Sequence, residues 1–273
     1  MSRFDITKAR NATFDSEIDA QLMALTEYIT EEHFPRVQDY RDFHPGEPDT
    51  AGHLGPEAAR RSFDLARPRY NLMVQMLREL KGARGVDIGP AFGFLDVLLV
   101  EQYGLRIVAT EHPENFPAYT GLLRAKGIEV MPWRLGRDAC PIEPESMNFV
   151  IFAEVLEHLK LPPLRALREV TAPLKPGGTL FFSTPNIARQ HNIDRLQRGE
   201  NVMEPYREDA PPDRDVTDFV SHIHEYTVQE AVDMVEAAGL SITELVMCPW
   251  MMDERPHPDP LRNHYTCLLA KKR

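Results

Sequence analysis

The chain has 273 residues, 42% of them hydrophobic and 27% charged, with a net charge of −11. That is the profile of a soluble globular protein with one large domain or two small ones, and an acidic chain without a long basic run is a poor partner for nucleic-acid phosphates. No stretch approaches the roughly 20 apolar residues needed to cross a membrane, and the polar N-terminus has no apolar core of a secretory signal. The three cysteines, Cys140, Cys248 and Cys267, stand far apart and outside any metal-type spacing. They read as reduced thiols of a cytoplasmic protein.

In chain order, Ile18, Leu22, Leu25, Tyr28 and Ile29 recur at helical spacing and predict an N-terminal helix. A Pro/Gly/His-rich loop runs from there to about residue 55. "PEAARRSFDLARPRYNLMVQMLREL" predicts a helix that Pro68 should kink or split. From residue 84 the rhythm changes to short apolar runs alternating with helical segments. The strands are "ARGVDIG", "RIVATEH", "IEVMPWRL", "MNFVIFAEV" and "TLFFSTP", the helices between them are mostly closed by glycine, and "PPLRALREVTAPLKPGG" reads as a helix closed by Pro and Gly. Segment 186–225 is far longer than the usual connection, so it is expected to be a lid. Thr227 and Glu230 then form a capping box for the last helix, and "ITELVMCP" and "HYTCLLAKK" end the chain as strands that can pair antiparallel. This alternation predicts an α/β fold with a doubly wound, mostly parallel sheet covered on both faces.

In such a sheet, ligands bind beyond the carboxyl ends of the strands. "GVDIGPAFG" puts Asp87, Gly89 and Gly93 at a strand-to-helix turn, where glycine allows close backbone approach or positive φ. Alone this is a weak signal, because glycines also let a helix pack closely on a strand. Glu111 ends the next strand, where a carboxylate can accept hydrogen bonds from both hydroxyls of a ribose. The turn has no clean GxGxxG, which counts against a nicotinamide-dependent oxidoreductase.

Taken in order, "GVDIGPAFG", "TEHPEN", "RDACPIEPESMNFVIFAEVLEHL", "LREVTAPLKPGGTLFFSTPN" and "HIHEYTVQEAVDMVEAAG" resemble the motifs of class I S-adenosylmethionine-dependent methyltransferases along roughly residues 70–273. The resemblance implies a Rossmann-like seven-stranded sheet with an antiparallel last strand, in a domain over 67–273. An N-terminal helical and lid segment over 1–66 and an acceptor lid over 186–225 would complete it. It also implies S-adenosyl-L-methionine as cofactor. Gly89 and Gly93 would pass beneath its methionine part, Glu111 would hold the ribose, and Asp87, Leu135 and Glu154 would line the rest of the site. Ala91 replaces a middle glycine of many relatives. Asn148 replaces an aspartate usual before the fourth strand, at a position that often serves the fold.

"EVLEHL" follows the most buried-looking strand, and an unpaired carboxylate there is costly. If the turn is helical, Glu154, Glu157 and His158 share one face at i, i+3 and i+4, which suits a divalent cation. Equally, Glu154 could cap a helix or contact the methionyl ammonium, and His158 could be a satisfied pocket residue. Some metal-dependent O-methyltransferases, among them small-RNA 3′-terminal and certain quinone-pathway enzymes, carry Glu-x-x-Glu-His here and a later histidine. By that resemblance the ligand set is Glu154, Glu157, His158 and His222, holding Mg²⁺, Mn²⁺, Fe²⁺ or Zn²⁺. Alternatively His158 or His222 is a plain general base.

The expected function is transfer of a methyl group to a small polar acceptor, at a hydroxyl oxygen. Arg189, His191, Asn192, Arg195, Arg198 and Tyr206 from the lid, and Tyr40, His44, His53, Arg60 and Arg61 from the N-terminal part, are candidate walls. A non-catalytic S-adenosylmethionine-binding protein and an RNA 3′-end 2′-O-methyltransferase are the competing readings.

Overall fold

The computed structural model describes residues 3–33, 56–203 and 222–273. Eight strands make one sheet: β1 (Arg10–Asn11), β2 (Arg84–Ile88), β3 (Arg106–Glu111), β4 (Glu129–Pro132), β5 (Met147–Ala153), β6 (Leu174–Pro185), β7 (Leu240–Cys248) and β8 (Tyr265–Lys272). Their order is β1-β7-β8-β6-β5-β2-β3-β4. All neighbours pair in parallel except β8, which runs antiparallel to both β6 and β7. The seven strands from β2 onward are the expected Rossmann-like sheet. The two-residue β1 is an eighth edge strand that no apolar pattern announces.

The described helices are α1 (Ser16–Tyr28), α2 (Pro56–Leu77), α3 (Phe94–Glu101), α4 (Phe116–Ala125), α5 (Pro163–Thr171), α6 (Gln190–Gln197) and α7 (Val228–Ala237). They cover both faces, and the strand period of two explains how. On β5, Phe149 and Ile151 pack with Phe63, Phe94 and Leu122 from α2, α3 and α4. Their neighbours Val150 and Phe152 point the other way, to Leu167 of α5 and Val232 of α7.

Two expectations need correction. Pro68 does not split α2, which is continuous over 22 residues. Buried Phe63, Leu72, Met73 and Leu77 anchor the helix on both sides of the proline, so packing outweighs the one lost hydrogen bond. The segment "LKPGG" is not a helix end, since α5 stops at Thr171 and β6 starts at Leu174. Pairing jumps from Met147↔Leu174 to Phe149↔Thr179, so Lys175–Gly178 bulge out of the ladder.

Other expectations hold. Thr227 and Glu230 form the reciprocal capping box of α7. Asn148 serves the fold, its Oδ1 accepting from the Arg84 backbone N–H at 3.2 Å. The three cysteines are free, Cys248 and Cys267 lying buried with sulfurs 3.9 Å apart. Among the described residues, no helix is long and apolar enough to cross a membrane. Residues Tyr40, His44, His53 and Tyr206, proposed as acceptor walls, lie outside the described residues.

Candidate functional site

A cavity of about 560 Å³ opens at the carboxyl ends of β2, β3 and β5, lined among others by Arg69, Asp87, Gly89, Glu111, Leu135, Glu154 and His158. Gly89 stands where β2 becomes the turn to α3. Its φ is +73°, and a Cβ there would come within 2.8 Å of Val155. Backbone therefore forms the cavity floor where a side chain has no room. Gly93 is placed differently. It caps α3, also at φ +73°, and a Cβ would strike Leu123 at 2.5 Å, so it serves helix packing behind the cavity. Between them Ala91 takes the left-handed conformation at φ 52°, which glycine at that position would adopt without strain.

At one end, Glu111 closes β3. Its Oε1 accepts from the His112 backbone N–H at 2.8 Å and lies 3.4 Å from the Asn115 amide nitrogen. Burial pushes its carboxyl up to about 7, with those hydrogen bonds opposing. Donors from a bound diol would favour the ionised form again. Leu135 lines the same end. Behind the floor, Asp87 meets a residue the sequence reading passed over, Asp96 of α3, which is fully buried. Asp96 has no donor among the described residues, and its carboxyl lies against that of Asp87. Burial raises both carboxyls, that of Asp96 to about 7, which favours keeping a proton on the pair. The visible signal was one charged residue in the apolar run "FLDVLLV".

At the other end, β5 stops at Ala153 and the chain reverses. Glu154 has φ 54°, and a 3-10 turn over Leu156–His158 follows. This overturns the expectation of a helical turn with Glu154, Glu157 and His158 on one face. Held in the left-handed region, Glu154 accepts from Ser183 Oγ at 2.8 Å and faces Arg69 Nε at 3.9 Å. It does not join the other three predicted metal ligands. Glu157, His158 and His222 do converge, with one ligand atom of each within 4.8 Å of the others. The His158 and His222 rings meet edge to face at 4.9 Å.

This convergence has a local cause. The Glu157 carbonyl accepts from the backbone N–H of Ile223 at 2.8 Å, which ties residues 222–224 to the 3-10 turn and sets His222 beside it. The Glu157 side chain is 1% exposed. Its Oε2 accepts from Thr184 at 3.2 Å, while Oε1 has no partner among the described residues. Burial and the nearby Glu154 push its carboxyl well above the usual range. A buried carboxyl with an orphaned oxygen, gathered with two imidazoles, is a donor set that suits a divalent cation, so these residues fit one. His222 also has a partner in buried Glu225, its Nδ1 lying 2.8 Å from Oε1. Glu225 pairs with Arg189. Burial would raise the Glu225 carboxyl, but its hydrogen bonds to His222 and Arg189 hold it at about 2.

Arg69 is a second residue the sequence reading missed. Its guanidinium sits 4.0 Å over the Tyr265 ring, and its Nε is buried without a hydrogen-bond partner among the described residues. A cation on the apolar stripe Ala66, Arg69, Met73 was the available signal. Of the candidate wall residues in segment 186–225, Arg189 pairs with buried Glu225, while Arg195 and Arg198 pair with Glu200 near the surface.

The fold and a cavity at the strand ends define an α/β ligand-binding enzyme of the doubly wound class. Residues 59–245 match the family model "Methyltransferase domain", and the chain belongs to this family, the S-adenosylmethionine-dependent methyltransferases of class I. A ubiquinone biosynthesis O-methyltransferase of Xanthomonas campestris pv. campestris is 31% identical over 109 residues, 39% of this chain and 45% of that protein. The chain thus spans about half the length of the curated relatives it matches. A Thermotoga maritima S-adenosylmethionine-dependent methyltransferase shares the fold with a TM-score of 0.52 and 18% identity, over 80% of this chain and 96% of the other. The [4+2]-cyclase SpnF shares it too, with a TM-score of 0.50, 17% identity and 80% and 82% coverage. Such distant likeness bears on the fold alone.

Proposed function

We propose that this chain methylates a hydroxyl oxygen of a small polar acceptor, with a divalent cation held by Glu157, His158 and His222. The observation that carries this reading is the convergence of Glu157, a buried side chain whose Oε1 has no partner among the described residues, with two imidazoles beside the cavity. The relatives named as O-methyltransferases support the choice of oxygen. S-adenosylmethionine supplies an activated methyl group on a sulfonium, so the protein's task is mainly proximity and alignment. Glu111 accepts the ribose hydroxyls, Gly89 lets the backbone close on the methionyl part, and Arg69 offers its guanidinium to a carboxylate. Glu154, pinned by Ser183, borders the cavity where donor and acceptor meet. A hydroxyl acceptor must lose its proton, and a divalent cation would lower that pKa and orient the oxygen.

The second reading keeps the reaction and gives the proton to His222 itself. The contact with Glu225 favours it, because a carboxylate at Nδ1 stabilises an imidazolium. One experiment separates the two. S-adenosylhomocysteine is titrated calorimetrically with and without Mn²⁺, and methylation of polyhydroxylated and catechol-like compounds is assayed with and without chelator. Binding of S-adenosylhomocysteine with activity lost to chelator supports the first reading. Activity indifferent to chelator in a metal-free preparation sinks it and leaves the general base. Absence of S-adenosylhomocysteine binding sinks both.

A further inference from the structure

We infer that Glu225, held in place by Arg189, is a positioning residue that keeps the proton of His222 on Nδ1 and leaves Nε2 as the nitrogen available to the site. The inference rests on the reading of His222 as a ligand or base, and it holds under either.

The argument starts from what each group can do. An ionised carboxylate only accepts, so the 2.8 Å contact from Oε1 to His222 Nδ1 requires a proton on Nδ1. In a neutral imidazole the lone pair then lies on Nε2. Glu225 is 6% exposed. A buried charge without work or partner would be costly, but Arg189 grips it with both terminal nitrogens, NH2 reaching Oε1 at 3.2 Å and NH1 reaching Oε2. Arg189 is fixed in turn, because NH1 also donates to the Asn186 carbonyl at 3.1 Å. Ile187 N–H donates to the Tyr226 carbonyl at 3.0 Å, so the backbones carrying Arg189 and Glu225 are stitched together. The arrangement is a carboxylate–histidine pair with a cationic anchor, a form that sets ring orientation and tautomer at metal-binding histidines.

The test is the tautomer of His222 by ¹⁵N NMR of the histidine-labelled, metal-free protein, with Mn²⁺ affinity measured in parallel. In the wild type we expect the Nδ1–H form. In Glu225→Gln, Arg189 claims the amide oxygen, which turns the amide NH₂ toward Nδ1. That nitrogen must then accept, and the proton moves to Nε2. Mn²⁺ affinity should fall about 10- to 100-fold, with S-adenosylhomocysteine affinity within about twofold. A wild-type His222 in the Nε2–H form overturns the proposal, as does a folded Glu225→Gln protein with unchanged tautomer. The wild-type measurement needs no variant, so a Glu225→Gln chain that fails to fold does not decide the matter. If the wild type binds no Mn²⁺, the metal reading fails, and the tautomer still decides this one.

Discussion

The two ends of the cavity are built in different ways. The end around Gly89 and Glu111 comes from adjacent parallel strands, β2 and β3, whose register is fixed by five paired positions. Each residue there sits at a strand terminus, so its place follows from the sheet. The end around Glu157 joins a 3-10 turn after β5 to residues more than sixty positions later, through backbone hydrogen bonds to the Glu157 carbonyl. The first end depends on topology, and the second on a particular local conformation. On the proposed reading, binding of the methyl donor at the first end can be retained while the second end varies its chemistry.

If the ends are separable, single substitutions should act on one and spare the other. The largest effect is expected for Glu157→Ala. It should cost about 10²- to 10³-fold in kcat and abolish Mn²⁺ binding, with S-adenosylhomocysteine affinity within about twofold. Glu111→Ala should do the reverse, weakening S-adenosylhomocysteine about 30-fold, near 2 kcal/mol for two lost hydrogen bonds, while Mn²⁺ still binds. Calorimetry on both variants checks the pair, and equal losses of both ligands in either variant would break the comparison.

A smaller effect tests how the first end tolerates its buried acids. With both carboxyls raised, the folded protein holds more protons than the unfolded chain between about pH 4 and about pH 7. Their contribution to stability therefore falls as pH rises through that window. Asp96→Asn supplies a permanent donor to Asp87 and should stabilise the ligand-free protein by about 1–3 kcal/mol at pH 8, with the gain shrinking toward pH 5. Thermal melts across pH read this out, and a gain independent of pH would show that no proton is shared. Smallest is Ala91→Gly. It relieves the positive φ at 52° and should raise stability by about 0.5–1 kcal/mol, measurable in urea.

The same contrast explains what could be read before the structure. Strand ends, glycine turns and the capping box of α7 follow from short-range periodicity and spacing, so the sheet and the positions of Gly89 and Glu111 at its strand ends were legible. The gathering of Glu157, His158 and His222 was anticipated by resemblance. The exclusion of Glu154 was not, because it depends on one left-handed residue and a 3-10 turn where an α-helical turn fitted the pattern equally well. Asp96 and Arg69 were missed because a charge on an apolar stripe reads as tolerated surface until burial is known. The edge strand β1 has only two residues and no apolar alternation.

The position of β8 has a consequence for how the chain is made. It lies between β6 and β7 and is the last of the described strands to be synthesised. Until residues 265–272 exist, β7 has no place in the sheet, and β1, which among the described strands pairs only with β7, has no partner. From the synthesis of β6 until that of β8, the nascent chain therefore carries an open β6 edge. Such an unpaired edge is the surface chaperones guard, so substitutions that loosen β8 should expose it and lower the yield of folded protein.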